Sequence, residues 1–121
     1  AQAQAESDRL YAISNLAADI LHVLDNFERA LEAARASGAS SIAEGLDLVY
    51  KQLLGTLAKH GVEPIESVGQ PFDPNMHEAL TQVPDPEHPE GTVVKEFSKG
   101  YRIKDRVLRP SRVAVSVRPQ E

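Results

Sequence analysis

The chain has 121 residues, 41% apolar and 26% charged, with a formal net charge of −5, which fits one soluble compact domain or a helical module joined to a small one and excludes disorder throughout. No apolar run reaches the roughly 18 residues of a membrane span and no secretory leader is visible. The absence of Cys excludes disulfides, thiolate catalysis and cysteine zinc sites; it agrees with a cytoplasmic protein, and the missing initiator Met with a trimmed one.

The first predicted element is a long helix over about residues 8–35. Ile13, Leu16, Ile20, Val23, Phe27, Ala30 and Ala34 step by alternating threes and fours, the spacing of a heptad seam. A second row, Leu10, Ala17, Leu21, Leu24 and Leu31, widens the apolar face beyond one two-stranded contact. The helix is therefore expected to pair with another copy through Ile13, Leu16, Ile20, Val23 and Phe27, and to pack on a second helix as well.

That second helix is expected over about residues 41–60. Ser41-Ile42-Ala43-Glu44 reads as a capping box at its start, and Gly61 as its C-cap. The apolar stripe is Ile42, Leu46, Val49, Leu53 and Leu57, flanked by Tyr50 and Leu54. The short stretch from Ala36 to Ser40 makes the two helices an antiparallel hairpin, and two hairpins would close a four-helix bundle. Gly45 is either tolerated near the helix start or marks the close approach of a partner, since a mid-helix glycine costs about 1 kcal/mol relative to Ala.

A boundary follows at residues 61/62. No proline interrupts residues 1–61, whereas seven of the eight prolines lie between Pro64 and Pro110. Net charge changes too: −3 over residues 1–61, −7 over 62–91 and +5 over 92–121. Short extended pieces are predicted at Val62–Ile65, Leu80–Val83, Thr92–Phe97, Tyr101–Ile103, Arg106–Leu108 and Val113–Val117. They form a small antiparallel sheet or partial barrel with a core around Val83, Val94, Leu108, Val113 and Val115. In the last strand Val113, Val115 and Val117 alternate with Ala114 and Ser116, as for one buried face. The fold class is α+β.

Phe72-Asp73-Pro74-Asn75-Met76-His77-Glu78-Ala79-Leu80, Gly91-Thr92-Val93-Val94, Gly100-Tyr101 and Arg106-Val107-Leu108-Arg109-Pro110-Ser111-Arg112-Val113 follow one another in order. Together with Asn26 to Glu32, Glu44-Gly45 and Lys59 to Glu63, this series resembles the GrpE family of nucleotide exchange factors for DnaK-type chaperones. The resemblance implies a homodimer with paired long helices and a four-helix bundle. It also implies a β domain that docks on the chaperone's nucleotide-binding domain, opens its cleft and promotes ADP release. The implied partner contacts are Phe72, Pro74, Phe97, Arg106 and Val115, with Arg29, Glu32 and Gly45 on the helical side. The family's acidic N-terminal arm and the first part of its long helix are absent, which fits trimming.

Other readings of the residues compete with this one. Asp73, His77 and Glu78 are the residue types of a hydrolytic or metal site, but Asp73-Pro74-Asn75 reads more simply as a turn opening a short helical segment with His77 packed or capping there. No His pair has metal spacing, so neither catalysis nor a cofactor is expected. The basic run Lys99, Arg102, Lys104, Arg106, Arg109, Arg112 and Arg118 has one interleaved aromatic, Tyr101, and no RNA-binding signature. A protein partner suits it better than nucleic acid. The functional alternative is a dimeric coiled-coil adaptor, or a basic-surface binding module, without exchange activity.

Overall fold

Residues 2–36 contain neither glycine nor proline and are rich in alanine and leucine, so nothing interrupts the intrahelical ladder, and Gln2–Ala36 forms a single helix, α1. The structure is a computed structural model that describes residues 2–119. Helix α1 starts six residues before the expected Asp8, because Gln2 to Glu6 are helix-compatible and carry no breaker. At 1.5 Å per residue its 35 residues span about 52 Å.

Gly38 ends this helix with a φ of +78°, a conformation costly for any residue with a Cβ. The Ala39 N–H returns to the Ala34 carbonyl at 3.1 Å and the Gly38 N–H to Arg35 at 3.2 Å, the paired bonds of a Schellman motif. Helix α2, Ser40–Lys59, follows at once. The expected capping box at Ser41 does not form: the N-cap is Ala39, no side chain caps it, and Ser41 already lies inside the helix. At the other end Gly61 adopts φ +84° and its N–H closes on the Ala58 carbonyl at 3.0 Å, as the glycine there led one to expect.

The two helices bury the second row of α1. Ala17, Leu21, Leu24 and Leu31 are buried with Ala43, Tyr50 and Leu57 of α2. Each leucine so removed from water contributes about 1.5–3 kcal/mol. Side-chain contacts between the helices fix the pairing: the Tyr50 hydroxyl donates to the Glu28 carboxylate, Phe27 stacks on Tyr50 at 6.1 Å, and Arg35 meets Asp47 at 3.6 Å, a carboxylate that Lys51 of the same helix also holds at 2.9 Å. The α2 stripe departs from expectation, since Ile42 and Val49 are exposed and Ala43 and Tyr50 are buried instead. Gly45 is exposed and a Cβ there would meet nothing within 4 Å. Gly45→Ala is accordingly expected to stabilise the helical unit by about 0.5–1 kcal/mol, read as a raised melting temperature. A lowered one would place another backbone against it.

The chain divides into two compact units after Val62. Among the described residues six strands follow α2: β1 Val62–Pro64, β2 His77–Pro84, β3 Val93–Ser98, β4 Tyr101–Ile103, β5 Arg106–Arg109 and β6 Ser111–Val117. They make two three-stranded sheets, ordered β1-β4-β5 and β2-β6-β3. The expected antiparallel sheet is a mixed one, because β2 runs parallel to β6, from His77 opposite Ser111 to Pro84 opposite Val117. β3 pairs antiparallel with the other edge of β6.

Strand β6 is therefore central, and its two faces are covered. Val113, Ala114, Val115 and Ser116 are all buried, which corrects the expectation of one buried face. The core also shifts: Val93, not Val94, joins Val113 and Val115, with Phe72 packed against them, while Val83 is exposed and Leu108 only half-buried. Of the buried serines, Ser67 donates to the Glu96 carboxylate, while Ser111 and Ser116 are tied to the backbone. The Ser116 hydroxyl accepts from Thr92 N–H at 3.0 Å and donates to the Pro89 carbonyl at 2.7 Å. Ser111 Oγ accepts from Gly100 N–H at 3.0 Å.

Candidate functional site

The segment Phe72 to His77 is a loop of the β unit tied down by its own backbone and side-chain hydrogen bonds. The Phe72 N–H donates to the Gly91 carbonyl at 2.8 Å and its ring packs on the Val93, Val113 and Val115 cluster. Proline at 74 suits a turn whose φ its ring already supplies. The Asp73 carboxylate accepts Asn75 N–H at 2.9 Å, and the Asp73 carbonyl accepts Met76 N–H at 3.0 Å and His77 N–H at 2.8 Å. Asp73 N–H in turn donates to His77 Nδ1 at 2.9 Å. No short helix forms here, contrary to expectation; the turn passes straight into β2, because Met76 is held by Ser111 N–H at 3.0 Å at the head of the β2–β6 ladder.

His77 is 3% exposed, and its ring lies 5.8 Å from that of Phe72. Because Nδ1 accepts a hydrogen bond, the proton of the neutral ring is assigned to Nε2, which is buried and has no hydrogen-bond partner among the described residues. A hydrolytic grouping is not assembled: it is the Asp73 main chain that meets the imidazole, while Glu78, next along the strand, is exposed and pairs with Arg112 at 3.5 Å. Among the described residues no three His, Cys, Asp or Glu side chains gather to hold a metal ion.

Around this turn lies an open cleft of about 690 Å³ whose walls include Glu63, Glu66, Phe72, Asp73, His77 and Arg102. Three carboxylates against one guanidinium make it acidic, and Arg102 leans toward Glu63 at 3.8 Å. The basic run beyond it is largely tied down locally. Arg109 donates to the Lys99 carbonyl at 2.7 Å and lies over the Tyr101 ring at 5.5 Å. At the far end of β2, Glu87 N–H and then His88, both at 2.8 Å, hold the Asp85 carboxyl below its ordinary range.

The residues singled out from the sequence fall as follows. Phe72 is half-buried and Pro74 exposed on the same turn; Phe97 near the end of β3 is exposed with the Lys95 ammonium 5.1 Å from its ring; Arg106 opens β5 and is exposed. Val115 is different, since only 8% of it is exposed and it stands in the core behind the surface. In the helical unit Arg29, Glu32 and Gly45 are exposed, with Arg29 bonded to the Asn26 side chain. Ile13, Leu16 and Val23 of the seam are 46%, 62% and 57% exposed, Ile20 is half-buried, and Phe27 is partly used within the hairpin by Tyr50.

A family model described as GrpE matches residues 1–117, through both units. The chain belongs to the GrpE family. Its relatives include the Protein GrpE of Parageobacillus thermoglucosidasius, 50% identical over 112 residues that make up 92% of this chain and 50% of that protein. The Geobacillus thermodenitrificans protein of the same name is 48% identical over 117 residues, 96% of this chain and 53% of the relative. That of Bacillus cereus strain B4264 is 50% identical over 107 residues, 88% and 57% respectively. The chain thus spans about half the length of the curated relatives it matches. No helix among the described residues is long and apolar enough to cross a membrane.

From the sequence His77 is a member of a hydrolytic or metal grouping or, more simply, packed or capping; that both main-chain polar groups of Asp73 end on it is visible only in the fold. A His four residues after the Asp of an Asp-Pro-Asn turn is the signal that was present.

Proposed function

We propose that this chain is a co-chaperone nucleotide exchange factor, acting as a homodimer on the nucleotide-binding domain of a DnaK-type chaperone in the cytoplasm. The observation that carries the reading is family membership running through the helical and the β unit alike. Support for the dimer comes from the seam of α1, which leaves Ile13, Leu16 and Val23 on an outer apolar face while the parallel row Leu21, Leu24 and Leu31 is already spent on α2. A contiguous apolar face of this kind is covered by a partner in a stable soluble protein.

Exchange requires no catalytic residue. A factor that binds the open nucleotide cleft more tightly than the closed one lowers ADP affinity, and by reciprocity ADP weakens the factor's binding equally. A 1000-fold weakening takes about 4 kcal/mol of differential binding. A few apolar anchors and an arginine supply that much, since single interface residues of these types reach about 2 kcal/mol or more. Phe72, Pro74, Phe97 and Arg106 are the anchors assigned here, with Val115 supporting them from the core.

Release of a fluorescent ADP analogue from a DnaK-type chaperone, with and without this protein, tests the reading. No acceleration would leave the adaptor reading in its place. Within the same assay Arg106→Ala is expected to raise the concentration needed for half-maximal release by about tenfold, with melting and dimerisation nearly unchanged. Exchange equal to wild type at subsaturating concentration would remove Arg106 from the surface, and a matching loss of thermal stability would make it structural.

A further inference from the structure

Phe72 and Pro74 are given a docking role above, and the residue between them is anchored by a side chain that has none. The N–H of Asp73 donates to His77 Nδ1 at 2.9 Å and the carbonyl of Asp73 accepts the main-chain N–H of His77 at 2.8 Å. The same ring lies against Phe72, centroids 5.8 Å apart and planes tilted by 38°. At its other edge Nε2 is buried without a hydrogen-bond partner among the described residues, which is unfavourable for any polar atom. A phenyl ring, slightly larger than imidazole, would strand no donor here. What imidazole adds over phenyl is a donor that finds no partner among the described residues and one acceptor, which the Asp73 N–H occupies.

We infer that His77 is a positioning residue for docking: through the Asp73 N–H it holds the Phe72–Pro74 turn in the shape the chaperone meets. The inference rests on the exchange-factor reading. A turn that must be ordered on binding lowers affinity by the cost of ordering it, and a turn already held does not. Once bound, a loosened turn and a held one present the same side chains, so the loss belongs to the concentration required and not to the rate at saturation.

Two variants of the full chain separate this role from simple packing. His77→Phe keeps a ring and removes the acceptor. His77→Asn removes the ring and keeps an oxygen on Cγ, where Nδ1 is attached, to accept from Asp73 N–H. With a fluorescent ADP analogue on a DnaK-type chaperone, H77F is expected to need about tenfold more protein for half-maximal release, about 1.4 kcal/mol, with an unchanged rate at saturation. H77N should return to within about threefold of wild type. Wild-type behaviour of H77F, equal impairment of the two variants, or a loss confined to the saturating rate would overturn the inference. Should H77F fail to fold, imidazole nitrogen NMR and amide exchange on the unmodified protein decide. An unprotonated Nδ1 with a protected Asp73 amide supports the anchor, and a protonated Nδ1 or a freely exchanging Asp73 amide overturns it. Failure of wild type to release ADP would sink the exchange reading instead, and the spectrum would still judge the anchor.

Discussion

Gly100→Ala is expected to unfold the β unit while the helical hairpin stays formed. A Cβ at Gly100 would lie 2.3 Å from the Ser111 nitrogen, 2.7 Å from the Pro110 carbonyl carbon and 2.6 Å from Ser111 Oγ. Two of these three atoms are backbone, so no rotamer change relieves them. Relief would have to come from moving the head of β6, whose Ser111 both accepts from Gly100 N–H and donates its own N–H to Met76. Overpacking typically costs about 1–3 kcal/mol and occasionally more; with backbone in the way this case lies at the upper end, a large part of what a small domain has to lose. Far-UV circular dichroism should retain the helical signal while the dispersed amide resonances of the β strands collapse. A variant with wild-type β-strand resonances and melting would show that β6 moves aside easily.

Ile20→Asp combined with Val23→Asp is expected to convert a dimer to a monomer. In the single chain Val23 is 57% exposed, so its change alone alters stability by no more than about 0.5 kcal/mol, and Ile20, half-buried, adds the loss of part of its packing. In a paired seam the same two substitutions bury four unpaired carboxylates per dimer, at several kcal/mol each, against the roughly 8–12 kcal/mol of a micromolar to nanomolar association. The difference between these cases is the second chain itself. Sedimentation velocity is the measurement, and a double variant that still sediments as a folded dimer would remove the seam from α1.

Much of this architecture is legible in residue spacing, and what is not has physical reasons. Helical period sorts most of the two rows on α1: Leu21 and Leu24 face α2 and Leu16 and Val23 face outward, while Ile20 and Phe27 lie between, Phe27 against Tyr50. Ser41 is misleading because Ser-x-x-Glu reports residue types and not where the chain turns into the helix; the Gly38 turn makes Ala39 the N-cap and starts the helix at Ser40, which leaves Ser41 inside it. Strand positions are local and were recovered to within a few residues. The parallel β2–β6 pairing is not local: nothing in His77 to Pro84 names Ser111 to Val117 as neighbours. Likewise Val93 and Val94 are equivalent by composition, and only the register against β6 sends the first inward. Of the candidate surface, the Phe72–Pro74 turn was readable from its chemistry, whereas the role of Gly100 depends on Ser111 crossing above it, a meeting that needs the fold.

During synthesis this protein receives its central strand after the five others. The helical hairpin joins neighbouring segments, so its closure is quick on the scale of translation. The β2-β6-β3 sheet follows a different schedule, since β2 and β3 have no ladder between them until Ser111–Val117 arrives to separate and bind them both. Until then two strands lie in wait with open edges and with Val93, later wholly enclosed, in water. The nascent β unit is thus most prone to pair with another chain just before it is complete, in the interval when its own product would be a fitting guest for a chaperone.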